Sequence, residues 1–277
     1  MVRIALYLRP DFPSAQVLLA DLLESDRRYA DANAVYAAIA PASALYRTTR
    51  GRIAANLDRM DRDAEAVAQL EAIAKNDPKD ADALIQLGDI LRGRKKFKEA
   101  AAAYDRAIAR VPTLERRHWA LLYARAIAFE RSQQWPRAEA DFLKALEFEP
   151  EQPYVLNYLG YSWIEKGQHL ERATDMVKKA VALRPDDGYI VDSLGWAHFM
   201  LGQWADAVRE LERAVELRPE DPVINDHLGD AFWRVGRRTE ARFQWERALT
   251  LKPEPDLIEA IKKKLEHGLP DAAPTKG

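Results

Sequence analysis

The side chains best suited to metal binding or acid–base catalysis are the histidines, and they are scattered along the chain. Zinc enzymes need ligands at short, regular spacings such as His-Glu-x-x-His, because both imidazoles must lie on one helix face. No two histidines of this sequence have such a spacing: they stand at His118, His169, His198, His227 and His267. We therefore expect no metal and no cofactor, and we interpret His198 as an imidazole packed in the core.

A pair of adjacent carboxylates, Asp186 and Asp187, is the other candidate for acid–base chemistry. Both follow a proline, and Glu220 and Asp221 follow the next proline 34 residues later. Recurrence at one place favours a role at a helix start, where an acidic side chain accepts bonds from backbone N–H groups. No glycine-rich phosphate loop is present either. The sequence predicts that the chain is not an enzyme.

Composition excludes further classes of function. The chain has 277 residues, 48% of them hydrophobic, a formal net charge of -2 and no cysteine. A nearly neutral balance gives no attraction for nucleic-acid phosphates, and the absence of cysteine excludes disulfides and thiolate metal sites. No apolar run reaches the ~18 residues of a membrane span, and the first residues lack the apolar stretch of a secretory signal. We expect no nucleic-acid partner and no membrane span in this chain.

The strongest pattern is an internal repeat of about 34 residues. Prolines recur with spacings of 34, 38, 35, 34 and 34 residues, at Pro78, Pro112, Pro150, Pro185, Pro219 and Pro253. A repeat of this length is one supersecondary unit, which buries its apolar face only by stacking on its neighbours. The sequence therefore predicts an array of repeated units.

Each unit has the pattern of two amphipathic helices. In the last unit, Gly229 and Phe232 share one helical face, and Ala241 and Trp245 share a face of the next helix. Gly236 lies between them, where a glycine accepts the left-handed conformation of a helix end. Glycines inside first helices weaken those helices, so we expect a close helix–helix approach at Gly88, Gly160, Gly195 and Gly229.

This pattern resembles the tetratricopeptide repeat (TPR) family. The resemblance implies an all-α fold: a right-handed superhelical solenoid of about seven helix-turn-helix units and a C-terminal capping helix. Residues 1–12 match only the second helix of a truncated unit, so we expect a half-repeat there and a longer natural array. Residues 13–255 make up the seven units, 256–268 the capping helix and 269–277 a flexible tail.

The family resemblance also predicts a binding surface. In that family the concave, partner-facing side chains come from fixed places of each first helix, the second, fifth, ninth, twelfth and thirteenth. Carried onto this chain, these places predict protein contacts at Tyr123, Tyr154, Asn157, Tyr161, Tyr189, Asp192, Trp196, Phe199, Asp226 and Trp233. We interpret Trp163 and Trp245 as packing residues. For Tyr161, Trp196, Phe199 and Trp233, packing between units and partner binding both stay open.

Within the predicted surface, one polar line suggests a more specific role. Asn157, Asp192 and Asp226 stand at the same place of successive units. Such a line can orient the backbone of a partner by hydrogen bonds.

The stretch from Leu121 to Pro255 carries a closer resemblance. Its segments VLNYLGYSWIEKG and YIVDSLGWAHFMLGQW, and the turn GQHLERA with one extra residue, are similar to alphaproteobacterial lipoprotein adaptors that activate a carboxyl-terminal processing protease. This likeness implies a scaffold in the periplasm that holds the protease and its cell-wall hydrolase substrates. It also implies an outer-membrane anchor through a lipoprotein signal that this sequence lacks. The alternatives are a cytoplasmic TPR scaffold of an unrelated pathway and the regulatory TPR region of a larger enzyme.

Overall fold

The computed structural model of the chain describes residues 2–270, and throughout that range the regular secondary structure is helical. It contains sixteen α-helices and one short 3-10 helix. The predicted all-α repeat fold is confirmed. The chain divides into two compact units, Met1–Phe148 and Glu149–Gly277, which we call the N-terminal unit and the C-terminal unit.

The N-terminal unit contains nine of these α-helices. They are α1 (Val2–Leu8), α2 (Pro13–Ser25), α3 (Tyr29–Ala37), α4 (Tyr46–Arg59), α5 (Asp63–Asn76), α6 (Asp82–Gly93), α7 (Phe97–Ile108), α8 (Trp119–Arg131) and α9 (Trp135–Phe148). Between α7 and α8 lies the 3-10 helix Arg116–His118, which leads directly into α8.

The C-terminal unit contains the other seven. They are α10 (Pro153–Glu165), α11 (Leu170–Leu183), α12 (Gly188–Met200), α13 (Trp204–Leu217), α14 (Pro222–Arg234), α15 (Arg238–Thr250) and α16 (Pro255–His267). Within this unit α10 packs on α11, α12 on α13 and α14 on α15, and the first helices α10, α12 and α14 also touch in succession.

Small side chains on the second helices let neighbouring helices approach closely. Two alanine places recur in each repeat of the C-terminal unit and are fully buried at Ala173, Ala180, Ala207, Ala214, Ala241 and Ala248. The predicted packing residues Trp163 and Trp245 are also buried, at 1% and 0% exposed. Alternating large and small residues fill the space between helices to the density of a protein interior.

The first-helix glycines lie where helices are in direct contact, which confirms the expected close approach. A Cβ on Gly229 would stand 2.5 Å from the Trp245 ring and 3.1 Å from the carbonyl oxygen of Ala241. Gly88 and Gly195 have comparably tight surroundings. The helix loses stability by carrying glycine, but a larger residue has no room at this place.

The turns inside the repeats end their first helices in the left-handed conformation. Gly236 has φ +84°, as its position between two helices predicts, and Gly167 and Gly202 are alike. Earlier repeats place other residues in the same conformation, at Arg27, Asp61, Lys95 and Gln133. In the turn with one extra residue, His169 has a φ of +47°. Its ring packs edge-to-face with that of Trp163, with centroids 4.8 Å apart.

Acidic residues cap two helices, which confirms their predicted role at helix starts. The Asp187 carboxylate accepts backbone N–H bonds of Tyr189 and Ile190 at 3.1 and 3.4 Å. The Asp221 carboxylate accepts those of Val223 and Ile224 at 2.9 and 3.1 Å. These bonds satisfy N–H groups that have no partner within the helix.

The C-terminal end is held against the last repeat as far as it is described. Ile261 of α16 is fully buried, and Leu269 packs against the same cluster. Pro270 accepts a hydrogen bond from Arg234 at 2.7 Å. The other residues of the predicted tail, 271–277, lie outside the described residues, as does Met1 of the predicted half-repeat.

Gly229→Ala should lower the free energy of unfolding by about 2 kcal/mol, because the added methyl group overlaps the Trp245 ring. Gly93→Ala is the matched control: it ends α6 with no atom within 4 Å of its Cβ position, so alanine should stabilise by about 0.5–1 kcal/mol. Urea unfolding followed by circular dichroism measures both. Equal midpoints for the two variants would contradict the close approach.

Candidate functional site

The predicted binding residues of the C-terminal unit lie on α10, α12 and α14. We call the surface formed by these three helices the first-helix face. Tyr123 is the exception, because it belongs to α8 of the N-terminal unit, where its ring lies 6.4 Å from Trp119 and 6.0 Å from Phe142.

Trp196 lies at the centre of the first-helix face and contacts all three helices. Its indole N–H donates to a Glu165 carboxylate oxygen on α10 at 2.6 Å. Its ring is nearly parallel to Phe199 on the same helix, with centroids 4.7 Å apart, and to His227 on α14, with centroids 4.1 Å apart. Since these contacts use the indole N–H and the ring faces, Trp196 joins three successive repeats.

Beneath Trp196, His227 forms a buried pair with Asp192. The Nδ1 atom of His227 lies 2.9 Å from an Asp192 oxygen, and both side chains are about 10% exposed. Burial disfavours the charged imidazole, but the Asp192 carboxylate, with Asp226 and Asp230 nearby, raises the pKa of His227 above 6.5. The pair therefore favours a charged imidazole stacked on the Trp196 ring, an arrangement in which the cation is attracted to the aromatic face.

Two further carboxylates are buried at the end of the face. The Lys264 ammonium of α16 lies 2.7 Å from one oxygen of Asp226 and 2.7 Å from one oxygen of Asp230. Trp245 donates its N–H to the second Asp230 oxygen at 2.9 Å. Burial raises the pKa of Asp230 to about 6, although Lys264 opposes the shift. The second oxygen of Asp226, Oδ1, is buried and has no hydrogen-bond partner.

The predicted polar line is thus used inside the chain at two of its three places. Asp192 and Asp226 are 7% and 4% exposed and pair with His227 and Lys264, so in this structure they are not available to a partner backbone. Asn157 is half-buried, and its side-chain oxygen has no hydrogen-bond partner.

Exposed aromatic rings form a row at the start of the first helices. Tyr154 and Tyr189 occupy the same repeat place and are 41% and 52% exposed, and Val223 follows at 43%. The guanidinium groups of Arg184 and Arg218 stand 5.9 and 5.2 Å from the centres of the two tyrosine rings. Both tyrosines therefore offer large, partly oriented apolar surfaces to solvent.

The remaining predicted residues are half-buried. Burial, with Glu165 and Asp192 close by, raises the pKa of Tyr161, so its phenol stays neutral. The Trp233 ring lies 5.3 Å from Trp245 and 3.7 Å from the Arg238 guanidinium, and Leu269 packs on the same cluster. Tyr161, Asp192, Trp196 and Phe199 thus lie around one cluster, whereas Trp233 lies against the C-terminal residues.

The prediction for His198 is confirmed, because its side chain is 7% exposed and its Nδ1 lies 2.6 Å from a Gln203 oxygen. Among residues 2–270, no group of three histidine or acidic side chains is placed to hold a metal ion. Over the same range, no helix is long and apolar enough to span a bilayer.

A cavity of about 630 Å³ lies in the N-terminal unit, between α4 and α5. Arg50 covers the Tyr46 ring at 4.3 Å and donates to the carbonyl groups of Ala37 and Ile39, and Arg47 pairs with Asp77. Both arginines thus have partners among neighbouring side chains and carbonyl groups, which accounts for their presence at the cavity wall.

Sequence reasoning missed His227 and Lys264 as parts of this site. The contacts that matter join each first helix to the next first helix or to the capping helix: Trp196 with Glu165, His227 with Asp192, and Lys264 with Asp226 and Asp230. The partners are 31 to 38 residues apart in the chain. Polar residues separated by about one repeat period were the available signal.

Comparisons with known proteins agree with this architecture. The family model of the tetratricopeptide repeat matches residues 50–115, 123–188 and 193–255. No curated protein sequence matches the chain.

Many solved structures are similar to the chain, and three of them illustrate the likeness. A tetratricopeptide repeat protein from Parabacteroides merdae has a TM-score of 0.69 and 16% identity, over 92% of this chain and 97% of that one. The Cut9–Hcn1 hetero-tetramer of APC/C has a TM-score of 0.71 and 15% identity, over 97% of this chain and 51% of that one. Pseudomonas aeruginosa pilF gives 0.54 and 21%, over 67% and 84%. At these identities the likeness shows a shared fold.

The buried ionisable groups predict how stability depends on pH. The folded pKa of His227 is above its ordinary 6.5, so its stabilisation is complete below about pH 6.5 and is lost as pH rises through the folded value. The stabilisation that Asp230 contributes is complete below about pH 4 and is lost as pH rises through about 6. The thermal midpoint should therefore fall as the pH rises from about 5 to above 6.5.

Scanning calorimetry across that range measures the trend. Asp192→Asn should remove the part that depends on His227, whereas His267→Gln, at a histidine side chain 70% exposed, should leave it unchanged. A midpoint that rises over the same interval would refute the assignment.

Proposed function

Because the chain belongs to the tetratricopeptide repeat family, we propose that it is a non-catalytic scaffold that binds protein partners through the first-helix face of its C-terminal unit. The row of exposed rings at Tyr154 and Tyr189 is the observation that carries this proposal. Large aromatic side chains at a surface are favoured binding anchors, because they bury much apolar area and lose little rotamer freedom.

The exposed row lies on a surface that is already ordered. Trp196 joins α10, α12 and α14 through Glu165, Phe199 and His227. A surface held in place before binding loses less conformational entropy when the partner arrives. The contacts of Trp196 therefore support binding by ordering the surface, even though most of the polar groups around Trp196 already have partners.

The exposed groups also indicate what the partner offers. Tyr189, Met200 and Val223 are 52%, 47% and 43% exposed, and the exposed Glu165 adds a carboxylate beside the Trp196 ring. A protein segment with apolar side chains and a few N–H donors matches this mixture. Its apolar residues would cover the row while its donors meet the carboxylate.

Within this function, the more specific role is that of an adaptor for a carboxyl-terminal processing protease in the bacterial periplasm. The similarity of Leu121–Pro255 to lipoprotein adaptors supports it. By holding a protease and its cell-wall hydrolase substrates together, a scaffold raises their effective concentration without taking part in the chemistry. A cytoplasmic scaffold and a regulatory region of a larger enzyme are the alternatives, and both would use the same kind of surface.

The double substitution Tyr154→Ala and Tyr189→Ala should weaken partner capture about tenfold or more, since each anchor contributes on the order of 1 kcal/mol. Because both rings are largely exposed, the helical content should not change. Quantitative affinity capture from the native organism measures the loss. Phe243→Ala is the matched control, at a ring 63% exposed on α15, and it should capture like the unchanged chain. Equal capture by the double variant would exclude this surface.

The adaptor role has its own test with purified processing protease and a cell-wall hydrolase from the same organism. We expect the unchanged chain to accelerate cleavage of the hydrolase, and the double tyrosine variant to accelerate it less. If the chain captures other proteins but neither binds the protease nor changes the cleavage rate, the adaptor role fails and the scaffold role stands.

A further inference from the structure

We propose that the Asp226–Asp230 pair of α14 is a recognition site for an arginine side chain of a partner segment, and that residues 264–270 of this chain occupy the site in competition with that partner. The inference rests on the proposed function, since it names a partner chemistry and a means of regulation for the same unit. It concerns the end of the first-helix face, away from the tyrosine row.

The acidic pair is incompletely satisfied by the group that now fills it. One ammonium, that of Lys264, serves two carboxylates, each 4% exposed as a residue. The Trp245 N–H donates a hydrogen bond to the other oxygen of Asp230, but Asp226 Oδ1 is buried without a hydrogen-bond partner. The neighbouring His227 already pairs with Asp192. The site therefore keeps an excess of negative charge and one unused acceptor.

An arginine has the donors that this acceptor lacks. Lysine is a compact charge with three donors, whereas the planar guanidinium carries five N–H donors in a fork that matches carboxylates. In the present contact the Nζ of Lys264 reaches only one oxygen of Asp226 and one of Asp230. A guanidinium at the same place can reach Asp226 Oδ1 as well and would be held more firmly.

Residues 264–270, which we call the covering segment, are attached by contacts that a competitor can replace. Ile261 is fully buried and anchors α16, whereas the Lys264 side chain is 17% exposed. Beyond α16, Gly268 packs against the Trp233 ring with φ +72° and ψ −170°, and Pro270 accepts from Arg234. Those backbone angles are essentially restricted to glycine, so the conformation of the covering segment beyond α16 depends on Gly268.

The covering segment also indicates in which order the partner segment carries its cation and its apolar side chain. Its cation, Lys264, stands five residues before Leu269, which packs on the cluster that contains Trp233. A partner segment with an arginine followed about five residues later by an apolar side chain would make the same two contacts. The partner class is therefore a basic–apolar protein segment.

The test uses the full chain and a fluorescently labelled synthetic peptide with the sequence of residues 262–270. Fluorescence anisotropy measures binding. A chain that carries Lys264→Ala should bind this peptide about tenfold more tightly than the unchanged chain, because the competing ammonium is gone. A peptide carrying Lys264→Arg should bind more tightly still. A peptide carrying Lys264→Ala should bind no better to either chain.

Adding Asp226→Asn and Asp230→Asn to the Lys264→Ala chain should abolish the gain, and persistence of the gain would overturn the proposal. Gly268→Ala is the second opening variant, since its Cβ would stand 1.9 Å from the Trp233 ring. It should speed amide hydrogen exchange at residues 268 and 269 and also tighten peptide binding. If neither opening variant tightens binding, the proposal fails.

The double tyrosine variant keeps the two proposals separate. Its Tyr154→Ala and Tyr189→Ala changes lie on α10 and α12, away from the acidic pair, so it should bind the peptide like the unchanged chain. Loss of partner capture with normal peptide binding supports both proposals. Loss of partner capture in the double tyrosine variant, without tighter peptide binding in either opening variant, removes the arginine site alone.

Discussion

A pair of short helices cannot bury its own apolar side, and most of this structure follows from that constraint. Each pair must stack on the next, and close stacking requires small residues where the helices cross. Ala207 and Ala241 on second helices and Gly195 and Gly229 on first helices meet this need. Side chains with no place in the stack remain on the surface, which explains how exposed rings coexist with a well-packed interior.

Stacking also determines where charge can be buried. First helices of successive repeats face one another, so a carboxylate on one lies next to a donor on the following one, as Asp192 does with His227. Such a pair is stable only when both partners are present, because an unpaired buried charge costs several kcal/mol. The polar contacts of the first-helix face thus depend on the register between repeats and help to fix it.

The sequence predicted what belongs to a single repeat. The helix pairs, the buried rings of Trp163 and Trp245, the close approach at Gly229 and the caps at Asp187 and Asp221 all follow from local spacing. It did not predict which polar residues of different repeats would meet, because that depends on the relative rotation of two stacked pairs. Asp226 therefore looked available to a partner, although α16 supplies Lys264 to it.

The turns within the repeats have a consequence for the order of folding. The last two use glycine alone in the left-handed conformation, whereas earlier ones hold residues such as Asp61, Gln133 and His169 there at a cost of roughly 1 kcal/mol each. In a repeat array, folding nucleates where local stability is highest and then spreads to neighbouring repeats. We expect nucleation in the last two repeats, so that α12 and α14 of the aromatic surface are assembled while the earlier helix pairs are still forming.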